Sequence, residues 1–482
     1  MALSKEVRLL QTKWLAGQGW PKRLEALEVF GVRGWTGQHI SFGFPIVALV
    51  GENGAGKSTI LQAAASVYKG ETPRETKRAK FASAHFPDTP WERVEKAYIK
   101  WWVREGTSTK EGSIRKESTR WRGNPDRRIR RVVNIDLSRI QPVAARVGYF
   151  RLAKPQHKEA SAASFNEEQL ARLANIMGKK YEIASMAITD FDSKRSVPVI
   201  EHKGMRYSGF HGGAGETTMV ELLERDITQD SLVIIDEVET SLHPRSQRRL
   251  MRDLAEICRT KEAQIILSTH SPYVLEELPD EARLYIWEGA QGREIIKGVS
   301  PNFAMTKMDL EAHPDCDLYV EDENAKDMLR EIIISHSTDV IQRCLISAFG
   351  AASVGKSLGE MVLGQRFSRP TLVFLDGDQP DTPGCIPLPG GDAPERVVFE
   401  ALAGVGWEGV AARVGRSHSQ LVDFCSRAMA YDDHHEWIRL AADDLVLGGS
   451  QLWQAMCSVW AASCLNENDA KRIVDYVRGA LP

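Results

Sequence analysis

Apolar and polar positions alternate with different periods along the chain. Residues 24–50 alternate or run apolar, with glycines between the runs, which is typical of strands. From residue 231, the apolar runs SLVIID and AQIILSTH flank the helical segment PRSQRRLMRDLAEICRT. This strand–helix–strand order predicts a parallel sheet, because a crossover must return the chain to the start of the next parallel strand.

Later segments predict a second α/β unit beginning near Asp309. CDLYVEDENAKDMLREII predicts a strand and then a helix, and PTLVFLDGD predicts another strand. The Gly-rich polar segment EGAQGREIIKGVSPN (288–302) predicts a linker between the units. Residues 70–150 predict a β-rich antiparallel insertion, since aromatic and β-branched stretches are separated by turn residues. Beyond Glu400 the pattern is mostly helical.

Composition narrows the class of protein. A length of 482 residues allows two or three domains, and a net charge of -3 means that any basic surface must be local. The seven cysteines include no CxxC pair, so neither a disulfide framework nor a zinc site is indicated. The first residues lack the apolar core of a signal peptide, and no apolar stretch approaches the roughly 18 residues of a membrane span. We therefore expect a cytoplasmic protein without a membrane partner.

The segment GENGAGKST follows a predicted strand, precedes a predicted helix, and matches the phosphate-loop motif G-x-x-x-x-G-K-[ST]. Its backbone N–H groups and Lys57 would hold nucleotide phosphates, and Ser58 would bind Mg²⁺. The alternative is a Gly-rich turn that only caps a helix, which this context disfavours. The predicted nucleotide-binding residues of the loop are Gly51, Asn53, Gly54, Gly56, Lys57, Ser58 and Thr59.

Two acids follow the apolar run LVII, and a histidine follows the next run, IILST. Asp236 would hold Mg²⁺, while Glu237 would orient the attacking water as the catalytic carboxylate. An acidic pair on the surface is the alternative. His270 is predicted to contact the γ-phosphate, although a strand-end histidine is more commonly a structural hydrogen-bonding group.

These motifs, in this order, resemble the ABC-type ATPase heads of the SMC, Rad50, RecF and OLD (overcoming lysogenization defect) group over about residues 20–290. The resemblance implies an ATPase that binds ATP between two subunits, and so a homodimer or higher homo-oligomer. The group's LSGGE signature corresponds to FHGGAGETTMVELL, in which Gly213, Gly215 and Glu216 would bind nucleotide and Gly213 occupies the serine position. Sustained heptads are absent between Lys57 and Asp236, which favours the compact OLD-like branch.

Carboxylates also follow two strands of the predicted second unit. Glu321 follows DLYV, and Asp376 and Asp378 follow TLVFL. Carboxylates at the ends of parallel strands can hold Mg²⁺ for phosphodiester cleavage. The arrangement resembles the TOPRIM domain, which implies metal-binding and catalytic roles for all three acids with Mg²⁺ or Mn²⁺. Two positions depart from that family: Asp322 replaces the usual glycine, and no lysine follows the D-x-D pair, where Arg396 is the candidate replacement.

The predicted organisation is an α/β chain of an ABC-type ATPase domain, a TOPRIM-like domain and a helical C-terminal region. Their predicted bounds are residues 1–305, 306–400 and 401–482. Two functions stay open. The first is an anti-phage defence protein in which the nucleotide state gates a TOPRIM-type nuclease. The second is an ATPase sensor whose TOPRIM-like domain is inactive and which holds and releases a separate effector protein.

Three further segments have weaker interpretations. Residues 110–131 contain nine Lys/Arg and three acids, which fits a nucleic-acid contact, a solvated hairpin face or a protein partner. In YDDHHEW, His434 and His435 suggest a metal site, but adjacent side chains diverge on a helix, which favours a structural or interface role. LWQAMCSVWAASCL predicts an apolar helix face packed on the second unit.

Overall fold

The structure, a computed structural model, describes residues 3–70, 72, 81–135, 141–289, 292–309, 313–350 and 352–481. The chain divides into two compact units, Met1–Met308 and Asp309–Pro482. Each unit has its own apolar core. Both combine helices with sheets, so the predicted α/β class is confirmed.

The first unit contains strands β1 to β17 of the described chain. They are β1 (Lys22–Val32), β2 (Trp35–Ser41), β3 (Ile46–Val50), β4 (Tyr68–Lys69), β5 (Ala97–Glu105), β6 (Ser108–Lys116), β7 (Trp121–Arg122), β8 (Arg128–Ile129), β9 (Val132–Ile135), β10 (Glu159–Ser164), β11 (Ile183–Thr189), β12 (Ser196–His202), β13 (Met205–Ser208), β14 (Leu232–Ile235), β15 (Gln264–Ser268), β16 (Arg283–Gly289) and β17 (Gly292–Lys297). The α-helices are α1 (Lys5–Leu15), α2 (Lys57–Ser66), α3 (Ala82–His85), α4 (Glu167–Met177), α5 (Ala214–Leu223), α6 (Pro244–Lys261), α7 (Pro272–Leu275) and α8 (Pro301–Met308).

The central sheet of the first unit has the order β17-β16-β3-β15-β14-β9 within the described residues. All neighbours pair in parallel except β17 with β16. Every residue of β3, β14 and β15 is buried, which explains their continuous apolar sequences. Because the strands are parallel, β3, β14 and β15 deliver the residues that follow them to one edge of the sheet.

Antiparallel sheets complete the first unit. The hairpin of β5 and β6 extends the N-terminal strands, giving the order β2-β1-β5-β6-β7, while β10 to β13 form a separate meander. The hairpin lies inside the predicted β-rich insertion. Parts of that insertion, at 71, 73–80 and 136–140, lie outside the described residues.

The prediction of a linker at residues 288–302 is wrong for the residues of this segment that the structure describes. Residues 292–297 form β17, which pairs antiparallel with β16, and α8 begins at Pro301. Residues 290 and 291 lie outside the described residues. The glycines made the segment resemble a linker, but its Arg-Glu-Ile-Ile-Lys core pairs as an edge strand, in which Glu294 and Lys297 are exposed.

The second unit has strands β18 (Cys316–Val320), β19 (Cys344–Ala348), β20 (Thr371–Leu375) and β21 (Cys385–Pro387). They form a parallel sheet of order β19-β18-β20-β21. The helices are α9 (Glu323–His336), α10 (Thr338–Ile341), α11 (Ala352–Leu363), α12 (Pro394–Gly404), α13 (Val410–Val414), α14 (His418–Ala428), α15 (Trp437–Leu445), α16 (Gly449–Ser463) and α17 (Glu467–Ala480).

Helix α16 is the predicted apolar C-terminal helix, and it packs on α9. Trp453 is 1% exposed, and its indole Nε1 donates a hydrogen bond to Asn324 O at 3.1 Å. The helix therefore joins the core of the second unit, as its sequence predicts. Within the described ranges, none of the helices combines the length and apolar character that crossing a membrane requires.

Candidate functional site

The phosphate loop connects β3 to α2, as the motif predicts. Gly51, Gly54 and Gly56 have φ values of 147°, 88° and 99°. A Cβ on Gly51 would lie 2.5 Å from Ile286 O, and one on Gly56 would lie 2.6 Å from the Trp35 indole nitrogen. Both positions therefore require glycine for conformation and for space. The loop places Asn53 and Gly54 on the surface, with Ser58 and Thr59 in the first turn of α2.

Lys57 begins α2 and is 7% exposed. Its Nζ donates hydrogen bonds to Gly51 O at 2.8 Å and Glu52 O at 2.9 Å. Burial lowers the pKa of Lys57, and the negative charge of Asp236 is the strongest opposing influence. The ammonium thus lies inside the loop, within the field of the acids that follow β14.

The residues that follow β14 are tied to the end of β15 by Ser268. The Ser268 hydroxyl donates to Asp236 Oδ1 at 2.5 Å and accepts from the Glu237 backbone N–H at 2.7 Å. Glu237 has a φ of 47°, a left-handed conformation that is uncommon outside glycine. Ser268 therefore fixes the orientation of both predicted acids, a role that the sequence did not indicate.

His270 lies beyond Ser268 at the same sheet edge. Its backbone N–H donates to Glu239 Oε1 at 2.7 Å, whereas its ring Nε2 is buried and has no hydrogen-bond partner among the described residues. Burial lowers the pKa of His270, as does the nearby charge of Lys57. A buried imidazole nitrogen near the phosphate loop suits a phosphate oxygen, so the residues at this edge fit the predicted nucleotide.

Arg293 of β17 buttresses the loop and was not predicted. Its guanidinium lies over the Trp35 ring, 5.3 Å from the centroid, and donates to Arg33 O at 2.5 Å and Gly54 O at 3.4 Å. Nothing in the local sequence indicates these loop contacts, because Arg33 and Gly54 are more than 200 residues away in the chain. Its other partner, Glu288, lies on the neighbouring strand β16.

The predicted signature segment begins α5. Gly213 is the N-cap residue, and a Cβ on Gly215 would lie 2.6 Å from Ser241 O. Glu216 is buried and accepts hydrogen bonds from three side chains at 3.0 to 3.1 Å: those of Lys179, Tyr181 and Tyr207.

Burial opposes ionisation of Glu216, but the hydrogen bonds outweigh it and lower its pKa. Burial, followed by the Glu216 charge, raises the pKa of Tyr207 to about 12. The Glu216 carboxylate is thus held by side chains of the same chain.

The three predicted acids of the second unit lie at the carboxyl ends of adjacent parallel strands. Glu321 follows β18, and Asp376 follows β20. The Asp376 backbone N–H donates to Glu321 Oε1 at 3.0 Å, so the structure brings these two residues together. Asp378 is exposed two residues further on, and its Oδ1 accepts from the Gln379 side chain at 3.1 Å.

Asp376 has the most perturbed carboxyl group of this cluster. Its Oδ1 atom is buried without a hydrogen-bond partner among the described residues. Burial, followed by the Glu321 charge, raises the pKa of Asp376 to about 8. Burial also raises the pKa of Glu321, although the hydrogen bond from the Asp376 backbone opposes this. An all-oxygen site with excess negative charge has the chemistry that Mg²⁺ or Mn²⁺ requires.

The structure places both residues that depart from the TOPRIM pattern. Asp322 is the N-cap of α9, and its Oδ1 accepts from the Ala325 backbone N–H at 2.7 Å. Arg396 lies in α12, with its Nε 4.0 Å from Asp392 Oδ1. The described contacts of Arg396 therefore involve Asp392 rather than the three predicted metal-binding acids.

The basic segment 110–131 is only partly available to a nucleic acid. Lys116, Arg127 and Arg130 are 2 to 3% exposed, and each is hydrogen-bonded to another group of the protein. The exposed cations of the segment are Lys110, Arg115, Arg120 and Arg122. Its count of positive charges therefore overstates the charge at the surface.

Comparisons with known proteins agree with an ATPase domain in the first unit. Residues 26–176 match a family described as "AAA domain", and residues 219–276 match one described as "AAA domain, putative AbiEii toxin, Type IV TA system". The two matches include the phosphate loop and the acids after β14. The predicted ATP-binding P-loop ATPase, which typically uses Mg²⁺, is confirmed at this level.

Individual similar proteins match different shares of the chain. Protein ea59 of Escherichia phage lambda is 33% identical over 76 residues, which are 16% of this chain and 14% of that protein. The SMC head domain from Thermotoga maritima is 16% identical at a TM-score of 0.34, covering 57% of this chain and 98% of that one.

A second solved structure is an Smc head domain with an extended coiled coil bound to the C-terminal domain of ScpA, derived from Pyrococcus furiosus. It is 13% identical at a TM-score of 0.35, covering 59% of this chain and 98% of that one. At these TM-scores the likeness carries no argument about function or partners.

Proposed function

We propose that this chain is an ATP-hydrolysing protein of bacterial anti-phage defence, in which the nucleotide state of the first unit gates a TOPRIM-type, metal-dependent nuclease in the second. The observation that carries the nuclease proposal is the contact between the ends of β18 and β20. There, a buried and unpartnered oxygen of Asp376 lies beside Glu321. A divalent cation would neutralise this pair and position it against a scissile phosphate.

The ATPase half of the proposal rests on the edge formed by β3, β14 and β15. Lys57 and Ser58 would bind the phosphates and Mg²⁺, and Asp236 would complete the metal site. Glu237 would orient water, and His270 would contact the γ-phosphate. The Ser268 hydrogen bonds support these roles, since they set the geometry of Asp236 and Glu237 before the nucleotide arrives.

We further propose an ABC-type, ATP-dependent homodimer in which the backbone of Gly213 to Glu216 meets the nucleotide of the other subunit. The bonded state of the Glu216 carboxylate supports a backbone contact rather than a side-chain contact. Sedimentation of Glu237→Gln with and without ATP tests this, because blocked hydrolysis would preserve the shared nucleotide. An assembly of unchanged size in ATP counts against the shared site.

The defence role is supported by the family matched at residues 219–276, whose description names a putative toxin of a type IV TA system. The partial match to a phage lambda protein also supports a role that involves phage. Nucleic acid is the proposed substrate of the second unit.

A second function is an ATPase sensor that holds and then releases a separate effector protein. The capping role of Asp322 favours it, because this residue serves helix α9 where the TOPRIM pattern has glycine. The position of Arg396 also favours it, since its side chain lies near Asp392 and supplies no evident cation to the predicted acids.

Nuclease assays distinguish the two functions. Supercoiled DNA, linear DNA and RNA would each be incubated with the full chain, ATP, and Mg²⁺ or Mn²⁺. We expect metal-dependent cleavage that Asp376→Ala abolishes while ATP hydrolysis continues. The matched control is Asp381→Ala, which removes an exposed acid from the same loop. A wild-type protein that hydrolyses ATP but cuts none of the substrates would replace the nuclease with the sensor.

A further inference from the structure

The second unit brings together a carboxylate and two imidazoles that the sequence separates. Glu395, His434 and His435 each offer one ligand atom, and these atoms lie within 4.8 Å of one another. The His435 Nδ1 atom is 3.5 Å from Glu395 Oε1. We propose that these three residues form a binding site for a divalent cation of the zinc class.

The geometry of the two histidines differs from the sequence expectation. They lie in the short 3-10 helix His434–Glu436 rather than in an α-helix, and their ring centroids are 4.1 Å apart with an interplanar angle of 37°. The Asp433 side chain accepts from the His435 backbone N–H at 3.0 Å, which fixes this turn. The tight turn therefore directs neighbouring imidazoles to one place.

Glu395 is the fixed member of the set. It lies in the first turn of α12, is 1% exposed, and accepts a hydrogen bond at 2.8 Å from the Asn324 side-chain nitrogen on Oε1. A carboxylate has about four lone-pair sites, so this bond leaves capacity for a metal ion. An outer hydrogen bond of this kind is what orients metal-binding carboxylates in known sites.

Two nitrogens and one carboxylate oxygen are a ligand set that zinc binds, with a fourth position left for water. Ligand atoms around one tetrahedral zinc ion lie roughly 3.4 Å apart. His435 is 64% exposed, so its ring can rotate to close the remaining gap without disturbing the core. Mg²⁺ is a poor candidate, because it prefers oxygen ligands in an octahedral arrangement.

This site differs from the acids assigned to Mg²⁺, and it does not rest on the nuclease proposal. Burial is the main cause of the raised pKa of Asp376, and the Glu395 charge is among the smaller contributions, so the two carboxyl groups lie in the same region of the unit. A zinc-class ion at Glu395 would therefore lie beside the acidic cluster and join α12 to the turn that precedes α15.

The test uses the full chain, stripped of metal with a chelator and then titrated with Zn²⁺ against a chromophoric competitor. Co²⁺ provides a second probe, since its visible spectrum reports nitrogen ligands. We expect the wild type to bind one equivalent of Zn²⁺ tightly. The Zn²⁺ affinity should fall at least about 100-fold in His434→Ala and in His435→Ala. Loss of a metal ligand should lower the affinity more than loss of a residue that only hydrogen-bonds to a ligand. Mg²⁺ in excess should leave Zn²⁺ bound.

A control variant and a melting-temperature measurement separate loss of the metal site from loss of folding. His418→Ala removes an exposed histidine of the same unit and should bind Zn²⁺ like the wild type. Zn²⁺ should raise the melting temperature of the wild type and leave that of His435→Ala unchanged, whereas the metal-free proteins should melt together. Wild-type Zn²⁺ affinity in both ligand variants overturns the proposal. So does binding that survives in His435→Ala but disappears in Asp376→Asn, which would place the ion in the acidic cluster.

Discussion

Divalent metal should bind the acidic cluster of the second unit much more weakly as the pH falls. The pKa of Asp376 is raised to about 8 by burial and by the Glu321 charge, so near neutral pH this carboxyl group holds a proton. Mg²⁺ or Mn²⁺ requires the ionised form, and binding must therefore release that proton. The burial of Asp376 would thus make metal affinity at the proposed site depend on pH.

The size of the effect follows from the ionised fraction. With a pKa of about 8, the Asp376 carboxyl group is about 50% ionised at pH 8 and about 1% ionised at pH 6. Apparent affinity should therefore fall about 50-fold over this interval, and binding near pH 7 should release about 0.9 proton per metal ion. The raised pKa of Glu321 acts in the same direction and steepens the dependence.

The same pKa shift of Asp376 determines whether folding stability rises or falls with pH. Because the folded-state pKa of Asp376 exceeds the unfolded value of about 4, its proton stabilises the folded unit below that lower pKa. The contribution is progressively lost as the pH rises towards 8. Bound metal should offset this loss at high pH.

Calorimetric titration with Mn²⁺, in buffers of different ionisation enthalpy, measures the affinity and the protons released. Asp376→Asn should abolish most of the proton release and flatten the dependence on pH. Asp381→Asn is the control, since it removes an exposed acid nearby and should behave as the wild type. An affinity that is equal at pH 6 and pH 8 in the wild type would refute the reasoning from burial.

Three further predictions concern the loop, the chemistry and the core. Gly56→Ala forces a Cβ to within 2.6 Å of the Trp35 indole nitrogen, so ATP affinity measured by equilibrium binding should fall at least about tenfold. Gly54→Ala meets open space and should lose less; equal losses would contradict the steric argument. Glu237→Gln should keep ATP binding but slow steady-state hydrolysis about 100-fold or more, and wild-type turnover would exclude Glu237 as the base. Trp453→Ala should destabilise the second unit by about 3–5 kcal/mol in urea denaturation, and an unchanged midpoint would mean that α16 is dispensable.

The sequence predicted the parts of the fold in which local pattern and burial agree. The apolar runs that became β3, β14 and β15 are buried throughout, so their composition alone marks them as central parallel strands. The phosphate loop was equally visible, because its glycines follow from backbone conformation within a few residues.

The parts that the sequence did not predict depend on distant partners. In the sequence, Ser268 is only a serine at the end of a strand, and its contact with Asp236 arises because β14 and β15 are neighbours in the sheet. Likewise, β17 resembled a linker because its pairing with β16 is not visible in its composition. Glu395 and His435 are 40 positions apart, and only the packing of α12 near the 434–436 turn brings their side chains together.

The two carbonyl partners of Lys57 have a consequence for the kinetics of nucleotide exchange. The ammonium already bonds to Gly51 O and Glu52 O, so an incoming phosphate replaces existing acceptors rather than ordering a loose side chain. The net free energy that Lys57 contributes to phosphate binding is then the difference between two well-bonded states. This difference is smaller than the full strength of an ammonium–phosphate contact. Departure of the nucleotide is correspondingly assisted, because the carbonyl oxygens recapture the ammonium as the phosphate leaves. If Lys57 binds the phosphates as proposed, we therefore expect the loop to favour repeated turnover over long retention of a spent nucleotide.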